Sequence, residues 1–198
     1  MTRRPYFAAR VLVLASALAV LSCASSSGTR VFVNPDADMT FYERVAVLPF
    51  TNLSQDGLAG ARITRSFVTE LIMTNRYKIV QTEEFRPILM KSGGMPAPDG
   101  SYDVVKLRDA ATQVGATGIL RGAVTEYQMQ ASGTGETPVL AFDVEMLDAK
   151  TGDVVWRASI TKRGKSRIPI VGGGTRTLGR LTQVACEELV GQLRKGAL

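Results

Sequence analysis

Cys23 is the residue whose chemistry is written most openly into its surroundings. It ends Val20-Leu21-Ser22-Cys23, which has the form of a bacterial lipobox, where a precursor thiol takes up diacylglycerol and the chain is then cut before it. Arg3, Arg4 and Arg10 precede an uncharged stretch from Val11 to Leu21. That is a positive n-region, a short h-region and a small residue at the cut. The apolar run falls short of the roughly 20 residues that span a bilayer, so it reads as a removed signal over 1–22. Cys23 would then open the mature chain as an acylated residue, and two or more acyl chains hold a protein to a bilayer stably. Thr2 to Phe7 loosely resembles a twin-arginine motif, which leaves the export route open.

The other chemistries that residue types allow are few. The chain holds 198 residues and no histidine, which excludes a Ser-His-Asp triad, a histidine general base and histidine metal ligation. It holds two cysteines, so Cys186 has no internal disulfide partner once Cys23 is acylated. Glu83-Glu84 and Asp143/Glu145 are carboxylate pairs, but one falls in the first turn of a helix and the other on the wet side of a strand. Neither suggests a pocket or a metal partner. Gly172-Gly173-Gly174-Thr175 lacks the strand context and lysine of a phosphate-binding loop and reads as a flexible approach to a helix. Lys162-Arg163-Gly164-Lys165-Ser166-Arg167 is the densest basic run, and Ile168-Pro169-Ile170-Val171 follows it. Lys162, Arg163, Lys165, Arg167, Ile168 and Ile170 are therefore the candidate partner contacts. The formal charge of +6 overstates the basicity, since the leader supplies three arginines and no acid. Aromatics do not interleave with the basic run, so no nucleic acid is expected as a partner. No cofactor is expected either.

The elements that carry these residues follow from periodicity. Residues 23–43 read as a lipidated N-terminus and short tether, about 20 residues long with a reach of at most roughly 70 Å. Arg44–Phe50 reads as a doubly buried strand, Asn52–Gly57 as a turn with Ser54 or Asp56 as N-cap, and Leu58–Asn75 as an amphipathic helix. In that helix Ile63, Phe67, Val68, Leu71 and Ile72 share the apolar face. A strand over Tyr77–Val80 completes a parallel β-α-β unit. Thr82 caps a short helix, a glycine- and proline-rich loop covers Ser92–Gly100, and a second short helix over Val104–Val114 closes at Gly115. Gly118–Gln130, Val139–Asp148 and Asp153–Lys162 form an antiparallel meander with one buried face. Thr175–Lys195 is a terminal helix, with Cys186 beside its apolar stripe.

Arg44–Phe50 with its turn and helix, Tyr77-Lys78-Ile79-Val80 before an acidic helix, Gly115-Ala116-Thr117-Gly118-Ile119-Leu120-Arg121-Gly122, and Val144 to Trp156 together resemble the CsgG/LpoB-like lipoproteins. That superfamily includes the curli secretion pore, the LpoB activators of penicillin-binding proteins and relatives of the TolB N-terminal domain. The resemblance spans nearly the whole mature chain and implies an α/β fold like the anticodon-binding domain. It also implies attachment to the periplasmic face of the outer membrane, with which Ala24 after the cysteine agrees. The pore-forming hairpins would arise at Gln130–Thr137 and Lys162–Gly174. Each membrane strand needs about 9–11 residues, and neither slot is long enough. The sequence therefore predicts no channel.

The expectation is a single α/β domain over 44–198: a β-α-β unit, two short helices, a three-stranded meander and a C-terminal helix. The protein is expected to be a non-enzymatic, lipid-anchored envelope protein. It would act through contacts with other envelope proteins, or as a homo-oligomer, as an assembly subunit or biogenesis accessory. The alternatives are an LpoB-type activator of penicillin-binding proteins and a curli-type secretion channel subunit.

Overall fold

A computed structural model describes residues 28–97, 100–132, 135–165 and 177–196. Seven strands form one mixed sheet. They are β1 (Gly28–Val33), β2 (Arg44–Val47), β3 (Thr51–Asn52), β4 (Lys78–Val80), β5 (Gly118–Ser132), β6 (Gly135–Asp148) and β7 (Val154–Arg163). Four helices flank the sheet: α1 (Ala59–Met73), α2 (Thr82–Lys91), α3 (Val104–Gln113) and α4 (Leu178–Lys195). The order across the sheet is β1-β7-β6-β5-β2-β4, with β3 beside β5. β2 runs parallel to β4 and β5, while the β5-β6-β7 meander is antiparallel. The mixed α/β architecture is the one expected, as are the β-α-β unit, the two short helices, the meander and the terminal helix.

Two strands depart from the expectation. Arg44–Phe50 is not one strand, because Pro49 cannot donate to a ladder. β2 stops at Val47 and β3 resumes at Thr51, pairing with Ala123 on β5. The second departure concerns the expected tether over 23–43. Its Gly28–Val33 segment is β1, antiparallel to β7 with Gly28 opposite Thr161 and Val33 opposite Trp156. The 3-10 turn at Met39–Phe41 then places Met39 and Tyr42 in the core. Backbone groups that a tether would leave to water are thus paired along a sheet edge.

Burial follows the alternation of the strands and the stripe of the helices. α1 and α4 lie on one face, where Ile63, Phe67, Leu71, Leu181, Ala185 and Leu189 meet Val47, Leu120, Phe142, Val144, Trp156 and Ile160. Phe50 stands between Phe67 and Phe142, with ring centroids 5.7 and 6.3 Å away. Ile72 was expected on this face but is exposed, since the helix turns it away and ends at Asn75 in the left-handed region (φ 53°). α2 and α3 cover the opposite face over the β4-β2-β5 end, where Phe85, Leu89, Leu107 and Ala111 pack on Ala46, Leu48, Val80 and Ile119.

The caps are also partly other than expected. Leu58 holds the N-cap position of α1 without a side-chain bond, while Asp56 Oδ1 accepts from the Leu58 N–H in the turn before it. Gln81, not Thr82, precedes α2, and the Thr82 hydroxyl instead donates to the Val47 carbonyl at 3.1 Å. Gly115 (φ 65°) after α3 and Gly152 (φ 83°) in the β6–β7 turn both need the left-handed region, as their positions implied.

Candidate functional site

The second helical layer stops short. Beyond it, on the same face, the meander strands carry Arg121, Asp143, Glu145, Arg157 and Ser159, and no helix among the described residues covers them. The register makes a constellation of these side chains. Arg121 lies opposite Glu145 and Glu145 opposite Arg157, so one row of the sheet reads plus, minus, plus. Arg121 Nη2 and Nε both reach Glu145 Oε1 at 2.6 Å, and Arg157 Nη1 stands 3.7 Å from Oε2. Glu145 is therefore held from both sides, tightly by Arg121 and loosely by Arg157, whose side chain is 59% exposed.

Asp143 sits one row away, opposite Ser159 and Ala123. It has no hydrogen-bond or ion-pair partner among the described residues. Ala123 is the small side chain of β5 on this face, while Gly122 next to it is closed on the helical side, where a Cβ would sit 2.5 Å from the Asp143 carbonyl oxygen and 2.9 Å from the Phe50 ring. Thr51 of β3 and Tyr102, just before α3, make the far wall of a cleft of about 230 Å³. Burial pushes the Tyr102 hydroxyl above its ordinary value against the pull of Arg86, beside which the residue also lines a second pocket. Asp143/Glu145 was legible as a wet-face carboxylate pair. Its two arginines and the cleft around it were not, because only the strand register brings them together.

The expected partner contacts are divided. Cys23, Arg167, Ile168 and Ile170 lie outside the described residues, as does Gly172–Thr175. Lys162 and Arg163 belong to β7 rather than to a loop. Lys162 points to the helical face, where its Nζ meets Glu188 Oε2 of α4 at 2.6 Å and only 18% of its side chain is exposed. Arg163 donates to Gln130 of β5. Lys165, just past the strand, is exposed. The basic run is thus anchored at its start by pairing, with Lys165 exposed beyond it.

The remaining chemistry-bearing residues have structural settings. Glu84 pairs with Arg44 at 3.7 Å across the surface. Cys186 is fully buried under α4, and burial together with the charge of Glu70 pushes its thiol far above the ordinary range. A thiol in that state is a small core side chain rather than a nucleophile. Among the described residues no three His, Cys, Asp or Glu side chains gather as metal ligands, and no helix is long and apolar enough to cross a membrane.

A family model described as the peptidoglycan-synthase activator LpoB matches residues 21–160. Among solved structures, the PelC dodecamer from Paraburkholderia phytofirmans is similar at TM-score 0.57 and 18% identity, over 84% of this chain and 96% of that one. Lipoprotein GNA1162 from Neisseria meningitidis is similar at TM-score 0.54 and 16% identity, over 77% of this chain and 99% of that one. The LpoB C-terminal domain from Escherichia coli has TM-score 0.46 and 16% identity, over 62% of this chain and 84% of that one. No curated protein matches the sequence. At these identities the PelC and GNA1162 structures show a shared fold.

Proposed function

The chain belongs to the family of the peptidoglycan-synthase activator LpoB, and on that premise we propose that it is a non-enzymatic envelope protein that binds a peptidoglycan synthase from the periplasmic side and raises its activity. The observation that carries this reading is the family match over residues 21–160, which takes in the whole β-α-β unit and most of the meander. The open sheet face supports it, since it offers charged and polar groups to a partner.

Attachment through an acylated Cys23 to the outer membrane is part of the same proposal. β1 changes what that attachment allows. It begins at Gly28, five residues after Cys23, and five residues reach at most about 17 Å. The domain is then held against its own membrane, and the synthase must extend to meet it. A purified bifunctional synthase assayed for glycan polymerisation with and without the mature lipoprotein tests the proposal. Stimulation of severalfold is expected, together with a complex on co-purification. Unchanged polymerisation and no complex would refute it.

A second reading has one observation in its favour. The fold is shared with a PelC dodecamer, and a closely leashed domain is suited to assembling in the plane of the membrane as a ring of like subunits. Light scattering of the mature protein in detergent separates the readings: a ring shows as a mass many times that of one mature chain, which is itself smaller than the 21.3 kDa of the full sequence.

A further inference from the structure

The cleft between the meander and Tyr102 holds opposite charges in an arrangement that its own ion pairs leave incomplete. Glu145 is neutralised by Arg121 at 2.6 Å, so Arg157, at 3.7 Å and largely exposed, retains most of its capacity to bind an anion. Asp143 has no cation among the described residues. Arg157 lies opposite Glu145, and Asp143 lies opposite Ser159, two positions along β7. The two side chains are thus diagonal neighbours on one face, a separation of roughly 7–8 Å between backbones that long side chains close to less. An unpaired carboxylate and a guanidinium held only loosely, at 3.7 Å from Glu145, complement at that spacing a ligand carrying an ammonium and a carboxylate on one carbon. The small side chain of Ala123 leaves room for it, and the cleft, at about 230 Å³, has the size of an amino-acid residue rather than of a nucleotide or a folded loop.

We propose that this cleft binds the free zwitterionic end of a diamino acid in a peptidoglycan stem peptide, with Asp143 receiving the ammonium and Arg157 the carboxylate. The proposal rests on the reading of the protein as a partner of wall synthesis, and it gives that reading a ligand. Such an end exists only on a stem whose second amine has not been acylated by cross-linking. Acylation removes the positive charge and leaves Asp143 facing a neutral amide. The cleft therefore distinguishes uncross-linked from cross-linked wall. The Thr51 hydroxyl, which donates to the Gly100 carbonyl at 3.3 Å, keeps its lone pairs for a peptide N–H of the stem.

The test is calorimetric titration of the mature full-length protein in detergent micelles with disaccharide-tripeptide ending in meso-diaminopimelate, beside the same compound acetylated on its free amine. Binding of the free-amine compound is expected, with at least tenfold weaker binding of the acetylated one. Asp143→Asn and Arg157→Gln should each lose tenfold or more for the free-amine compound, with melting temperatures unchanged. Glu126→Gln, on the same strand face but outside the cleft, should bind as the wild type does. No binding of the free-amine compound, equal binding of the acetylated one, or full affinity in both cleft variants would overturn the proposal. Synthase stimulation is measured on the same variants. Tripeptide binding without stimulation by any variant or by wild type would sink the synthase reading and leave the cleft's ligand standing. Stimulation without tripeptide binding would do the reverse.

Discussion

Glu188 joins three elements through one carboxylate. It belongs to α4, accepts from the Thr29 hydroxyl of β1 and pairs with Lys162 Nζ of β7 at 2.6 Å. Burial pushes this carboxyl up, but the hydrogen bonds from Lys162 and Thr29 and the lysine charge outweigh burial and hold it below the ordinary carboxylate value. A folded-state pKa that is depressed contributes stability above the unfolded value, and that stability is lost as pH falls through the folded one. Glu188→Ala should therefore cost about 1 kcal/mol at neutral pH, kept small by partial exposure, and should loosen β1 first. Amide exchange at Arg30–Val33, corrected for intrinsic rates, is expected to speed up in the variant at pH 7. Wild type should approach the variant as pH is lowered through the carboxylate range. Equal protection in the two proteins at pH 7 would show that the carboxylate does not secure the strand. Tyr42 gives the opposite sign. Burial first, and then the hydrogen bond to Asp148 at 2.9 Å, push its hydroxyl up to about 12. What that group contributes is present below pH 10 and lost as pH rises towards about 12.

At the scale of elements, the sequence was readable where periodicity is long and local. The stripe of Ile63, Phe67 and Leu71 marks α1, and the alternation of Phe142, Val144 and Met146 marks β6, because each pattern is set by a single element's geometry. β1 was not readable. Gly28–Val33 lacks alternation, with most of its residues exposed, and it is a strand because β7 lies beside it with a partner for each residue. Likewise Arg121, Glu145 and Arg157 are ordinary wet-face residues until two strand registers align them in a row. The seam between β2, β3 and α1 depends on contact of the same non-local kind. A Cβ on Gly60, at the start of α1, would lie 2.5 Å from the Phe50 carbonyl oxygen and 3.2 Å from the Asn52 Cβ. Gly60→Ala, which improves intrinsic helix propensity, is nevertheless expected to destabilise the protein by about 1–3 kcal/mol. A chemical-denaturation midpoint at or above that of the wild type would show that the seam can yield.

For the whole molecule, the position of β1 decides how the domain sits relative to an anchor at Cys23. Gly28 opposes Thr161, so the leash leaves from the end of the sheet where β7 finishes and the β5–β6 hairpin turns. That end would face the membrane, and the open cleft lies further along the same strands. If the synthase comes to the domain, inserting about 20 Gly/Ser residues between Ser27 and Gly28, which adds several tens of ångströms of reach, should leave cross-linking to the synthase in whole cells unchanged. A severalfold rise in cross-linking would mean that reach is what limits contact.

The pairing of β1 with β7 also sets an order in time. The first strand to emerge from the ribosome has its partner about 130 residues later. Synthesis at ~5–20 residues per second then separates the two by roughly ten seconds. Throughout that interval the edge of the sheet cannot close, and the segment leading back to Cys23 is not yet fixed to a folded body. On the proposed acylation of Cys23, and with export of an unfolded chain, the acting enzymes would meet an extended segment before the last strand pair closes. Sheet closure would then act as a clock that favours processing ahead of folding.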